Sequence, residues 1–200
     1  MLIAPRIVRA FMLVASLIIG GGAAAARDQP PTDEQTNATT LTFGGNPYLH
    51  RWSKNGQNEF TPPSDKDLGH WRDMVTINVF DRVHNGDALA ATANSILANY
   101  EKHGKIVRTD SKPRTPSRPA EHLIVSLLGN PSLVEAAFAR VLLIDDIGVV
   151  VVYSHRIYGK DAAQPMGDWV KANGPAIERT LMSWDGVPPP SLLKRLPQSP

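Results

Sequence analysis

There is no cysteine among the 200 residues, so neither disulfides nor a lipid anchor attached through a thiol is available. Stability has to come from a packed core. Charge of one sign is also lacking. The 21 cations exceed the 19 anions by two, and Arg6 and Arg9 account for that excess within a segment expected to be removed. The remaining chain is balanced, which excludes a global field drawing it to nucleic acid or an anionic membrane. Long hydrophobic runs are missing too. The longest, from Ala10 to Ile19, falls short of the ~20 residues that span a bilayer. No internal repeat is visible, which argues against a solenoid or propeller.

The amino-terminal segment reads as an export signal over residues 1–26. Arg6 and Arg9 precede the apolar run, and small residues from Gly20 to Ala26 follow, with Ala24 and Ala26 suited to a signal peptidase cutting after Ala26. The mature protein is expected to begin at Arg27, to lie in a periplasm or outside the cell, and to keep no stable membrane anchor. Residues 27–40 are polar and contain Pro30 and Pro31, which suits a flexible leader. Residues 187–200 read as a proline-rich tail. The folded unit between them, residues 41–186, is large enough for one core.

Within that unit, Asn55-Gly56 favours the positive φ angles of a hairpin turn between His50 and Phe60. Met74 to Phe80 alternates as a strand, with Val75, Ile77 and Val79 on one side. From Asp87 to His103 the period becomes helical: Leu89, Ala93, Ile96, Leu97 and Tyr100 form one stripe, Asp87 is placed to cap it, and Gly104 to end it in a left-handed turn. Four strands are expected next, at 105–109, 121–128, 135–144 and 149–158, and short separators favour antiparallel neighbours. A last helical pattern runs from Pro165 to about Asp185. Gly174-Pro175 interrupts it, predicting a kink or two abutting helices. The fold class is therefore α+β, an antiparallel sheet flanked by helices, in the order β-β-α-β-β-β-β-α.

This order, resting on the Met74 to Phe80 strand pair, the Asp87 to His103 helix, the Val149 to Tyr158 strand and the Trp169 to Trp184 helix, resembles the superfamily of the PsbP extrinsic subunit of photosystem II. The resemblance implies an exported accessory or assembly protein that binds and does not catalyse. It concerns element order and brings no diagnostic motif.

The residues themselves offer no catalytic signature. His50, His70, His84, His103, His122 and His155 lack metal-ligand spacing. No glycine-flanked serine elbow exists, and Ser154 and His155, adjacent on a strand, point to opposite faces. Gly44-Gly45 is not followed by the lysine of a phosphate loop. No cofactor is implied. The rival reading is a hydrolase or lyase that uses His155 or His122 with nearby arginines, including a site assembled from both.

Two binding surfaces are predicted. Strand alternation groups Arg140, Arg156, Ser154, Ser126, Thr76 and Asn78 into a polar patch suited to a small anionic ligand, because arginine forks take carboxylates and phosphates in bidentate fashion. Against this stands a plain solvated sheet face. The second is the loop Arg108 to Pro119, whose Arg108, Lys112, Arg114 and Arg118 suit an acidic protein partner. With no aromatic interleaved, it is not a nucleic-acid platform. Trp169 and Trp184 read as core, whereas Trp71, in a polar loop, has no assigned role.

Overall fold

The computed structural model describes residues 40–116 and 118–200. The expected signal peptide and nearly all of the leader lie outside these residues. The described chain runs β1 (Thr40–Phe43), β2 (Asn46–Lys54), β3 (Gln57–Thr61), β4 (Asp73–Phe80), α1 (Gly86–His103), β5 (Gly104–Lys112), β6 (Glu121–Asn130), β7 (Leu133–Ile144), β8 (Ile147–Tyr158), α2 (Ala163–Ser183) and α3 (Pro190–Leu193). All eight strands form one antiparallel sheet in the order β1-β2-β3-β4-β8-β7-β6-β5, flanked by helices as the periodicity predicts. Helix, four strands and final helix succeed one another as expected. The part ahead of α1 resolves into four strands.

Tight turns set much of this topology. Gly44-Gly45, Asn55-Gly56 and Asp145-Asp146 each place two successive residues at positive φ, as two-residue primed hairpin turns require, and that twist matches the flanking strands. The outcome is two four-stranded meanders joined where β4 pairs with β8, Val75 opposite Tyr153 and Ile77 opposite Val151. Between them α1 carries the chain from the middle of the sheet to its far edge.

Each face has its own core. On one, Val75, Ile77, Val125, Phe138, Val149 and Val151 pack with Met166, Leu181 and Trp184. On the other, Ala137, Ala139, Val141, Val150 and Val152 meet Leu89, Ala93, Ile96 and Tyr100 of α1. A strand covered on both sides has no reason to alternate, which is why β7 and β8 read as nearly continuous apolar runs.

Several local expectations need correction. The side chain that caps α1 is that of Asn85, whose Oδ1 accepts from Ala88 N at 2.9 Å, and Asp87 lies inside the first turn. Gly104 is extended, with φ −172°. Its glycine character answers a close approach: a Cβ would lie 2.1 Å from the Leu127 carbonyl oxygen. Helix α2 runs unbroken through Pro175 and is not split in two. The tail also docks. Leu193 and Leu196 are buried in the α2-side core, and Ser199 N donates to Ser53 O at 2.7 Å.

Candidate ligand pocket

Helix α1 packs over β5, β6 and β7. On that same face β3, β4 and the end of β8 lie beyond it, so the C-terminal turn of the helix and the bare strands enclose a pocket of about 400 Å3. Its floor comes from alternate positions of adjacent strands: Glu59 pairs with Thr76, Thr76 with Val152, Met74 with Ser154, and Arg156 with Glu135. All of these line the pocket, together with Trp71, Asn99, Tyr100, His103, Leu128 and Leu133. The walls are mostly apolar with a few polar groups, the usual make-up of a small-molecule site.

Arg156 is the centre of this floor. Its Nε donates to Glu135 Oε2 at 2.7 Å, and its guanidinium carbon sits 3.7 Å from the centroid of the Trp71 ring. Trp71 is itself held by Tyr158, whose hydroxyl accepts from Trp71 N at 3.1 Å and donates to Trp71 O at 2.8 Å. The arginine is thus fixed on one flank by charge and on its face by an aromatic ring. The Tyr100 phenol is buried, and burial first, then the Glu135 charge, pushes its pKa well above the ordinary 10, so it stays protonated and able to donate. His103 Nδ1 is engaged with Asn99 O at 2.8 Å.

Of the six residues assigned to one patch from alternation, the structure brings Arg156, Ser154 and Thr76 together in this pocket. Ser126 and Asn78 belong to the same face but are buried away from the pocket lining. Arg140 does not belong to the patch. It pairs with Val151 on β8, so it shares the phase of the α2 side. There Nε meets Glu121 Oε2 at 2.8 Å, and Nη1 donates to Leu181 O and Trp184 O at 2.8 and 2.7 Å. This buried arginine donates to carbonyls at the end of α2, where Leu181 O also accepts from Trp184 N at 3.3 Å and the last carbonyls of a helix have no full set of partners of their own.

The basic loop is also corrected. Arg108 and Lys112 lie on β5, an edge strand. Arg108 is engaged by Asp110 at 2.9 Å and Glu178 at 3.4 Å, and Lys112 by Glu121 at 3.3 Å and by Met182 O. Arg114 and Arg118 follow in the loop, where Thr115 bridges to Arg118. Charged side chains on an edge strand discourage strand addition by another chain.

The two histidines of the rival reading do not converge. His122 opposes Val141 on the α1 side and contacts Ser111 Oγ at 3.1 Å. His155 opposes Asp73 on the α2 side, where Asp73 Oδ1 accepts from its Nδ1 at 2.8 Å and from Tyr153 Oη at 2.7 Å. The His155 ring lies flat on Trp169, centroids 3.8 Å apart. This network ties sheet to helix α2. Among the described residues no three His, Cys, Asp or Glu side chains are placed to hold a metal ion, and no helix is long and apolar enough to cross a membrane.

Sequence reasoning missed Glu135, Tyr100, Glu59 and the role of Trp71. Glu135 carried a usable signal, since it is an acid at the head of a strand otherwise apolar as far as Ala139. Tyr100 did not, because on an apolar helical stripe its ring reads as core.

No family model matches this chain, and no curated protein does. Among solved structures it is similar to the Pseudomonas aeruginosa protein of unknown function PA94, at TM-score 0.42 and 13% identity over 68% of this chain and 87% of that one. It is also similar to the Saccharomyces cerevisiae Ran-binding protein Mog1p, at TM-score 0.42 and 9% identity over 68% and 81% of the two chains. Likenesses this loose transfer no function.

Proposed function

We propose that this protein is an exported, non-enzymatic binding protein, an accessory or assembly factor of PsbP-like build, and that the α1-side pocket is its recognition site. The observation supporting this reading is the pocket itself. It is concave, mainly apolar and about 400 Å3 in volume, and its central arginine is fixed in advance by Glu135 and Trp71. Rigid polar groups on strands reduce the ordering cost of binding. Of the charged groups of the floor, Glu135 is engaged with Arg156 and Glu59 accepts from Gln57 Nε2 at 2.8 Å, an arrangement suited to recognition more than to proton transfer. The export half of the reading rests on the order of Arg6, Arg9, the apolar run and the small residues before Arg27.

The test is recovery of the tagged full chain from the envelope fraction of its native host, as wild type and as Ser154→Phe, which fills the pocket, with circular dichroism verifying that both are folded. A small molecule or protein that accompanies the wild type and not the filled variant is the expected result. Recovery of the same species with both forms, or of none with either, refutes the pocket. N-terminal sequencing of the same material is expected to begin at Arg27, and retention of Met1 would refute export by cleavage.

A further inference from the structure

Resting on the reading of the pocket as the recognition site, we propose that it selects an uncharged ligand: a planar carbonyl head, such as a primary amide or ester, on an apolar body. The polar side of the floor is rich in donors. Arg156 is more than nine-tenths buried and spends Nε on Glu135, while its two terminal amino groups make no hydrogen bond among the described residues. The Tyr100 hydroxyl likewise has no partner among them. Sealed side-chain atoms without a partner reduce, among the described residues, to Ser126 Oγ. The arginine and tyrosine donors are therefore not sealed, and they open onto the pocket both residues line. Ser154 and Thr76 add hydroxyls beside them. Buried donors are costly without acceptors, so the complementary ligand brings a carbonyl oxygen.

Charge then decides the class. Glu135 already balances Arg156, with both side chains 9% exposed. A ligand carboxylate reaching the arginine would set a second anion against Glu135 where water screens little. A ligand ammonium would bring further donors to Arg156 and Tyr100, which need acceptors, and Glu59, the lining carboxylate outside the Arg156 pair, already accepts from Gln57 Nε2 at 2.8 Å. A neutral carbonyl satisfies the donors and adds no net charge. Trp71, Met74, Leu128, Leu133 and Val152 take up the apolar body. The anionic ligand inferred from alternation grouped Arg140 with Arg156, and Arg140 stands on the other face.

Three probes of one skeleton test this: phenylacetamide, phenylacetate and 2-phenylethylamine, titrated into the full chain by calorimetry and by NMR of the indole N–H signals, that of Trp71 assigned with Trp71→Phe. The amide is expected to saturate and move the Trp71 signal, with acid and amine at least about tenfold weaker, and Tyr100→Phe is expected to weaken the amide by about tenfold. Acid or amine binding as tightly as the amide overturns the uncharged class and leaves the pocket standing. Undiminished amide binding by folded Tyr100→Phe overturns the donor argument. If no probe moves the Trp71 signal at millimolar concentration, the pocket itself fails as a recognition site.

Discussion

Arg156 on β8 donates through Nε to Glu135 Oε2 on β7 at 2.7 Å, each directly opposite the other in the strand register and each side chain 9% exposed. A pair so enclosed gives its two members unequal meaning for stability. Removing one partner leaves a charge buried and unmatched, which costs about 3–5 kcal/mol, whereas replacing both by apolar residues of similar volume is close to neutral. Glu135→Ala is therefore expected to lower the unfolding free energy in urea by that order at pH 7, and the Glu135→Leu, Arg156→Met double variant to recover most of the loss. A Glu135→Ala protein as stable as wild type would mean the pair contributes nothing to the fold.

That register also explains how much of the molecule was legible beforehand. Local period and turn chemistry announced the sheet, α1 and the Asn55-Gly56 hairpin, because each depends on neighbours within a few residues. The phase of one strand against the next does not. Thr76, Ser154 and Arg156 were grouped correctly because β4 and β8 are each internally regular, but the phase of β7 follows from its two-residue turn at Asp145-Asp146, and one residue of slip moves every side chain to the other face. Arg140 was lost to that. The docked tail escaped for a different reason: its prolines forbid a long helix or strand, yet they leave Leu193 and Leu196 free to fill a gap that exists only once α2 and the sheet have met.

His50 provides a pH signature. It is half-buried, 2.7 Å from Ser53 Oγ and edge-on to Phe60. Burial pushes its pKa below the usual 6.5, opposed in part by a backbone hydrogen bond with Trp52. A histidine whose folded pKa is depressed favours the folded state while neutral. Its contribution is present above 6.5 and is lost as pH falls through the lower folded value. Unfolding free energy is expected to decline on acidification across that window, and His50→Gln to flatten the decline. An unchanged slope in the variant would place the titration elsewhere.

On the tail, Leu193 is fully buried against the α2-side core. Truncating a leucine in such a site costs about 2–5 kcal/mol, depending on how far the surroundings close in. Leu193→Ala is expected to destabilise the whole domain by that order and to expose the segment around Pro197 to proteolysis at native temperature. For a tail merely resting on the surface, the same substitution would change stability by less than about 0.5 kcal/mol.

Ser126 makes the opposite prediction. It is fully buried on the α1 side of β6, opposite Ala137, and its Oγ has no hydrogen-bond partner among the described residues. A hydroxyl taken from water without a partner costs about 1–3 kcal/mol, and removing one oxygen leaves only a small void to set against that. Ser126→Ala is thus expected to raise stability by about 1 kcal/mol, seen as a higher urea midpoint with an unchanged slope. A fall instead would show the hydroxyl to be paired in solution. Because Ser126 faces the α1 side without lining the pocket, the substitution is also expected to leave amide binding as it was.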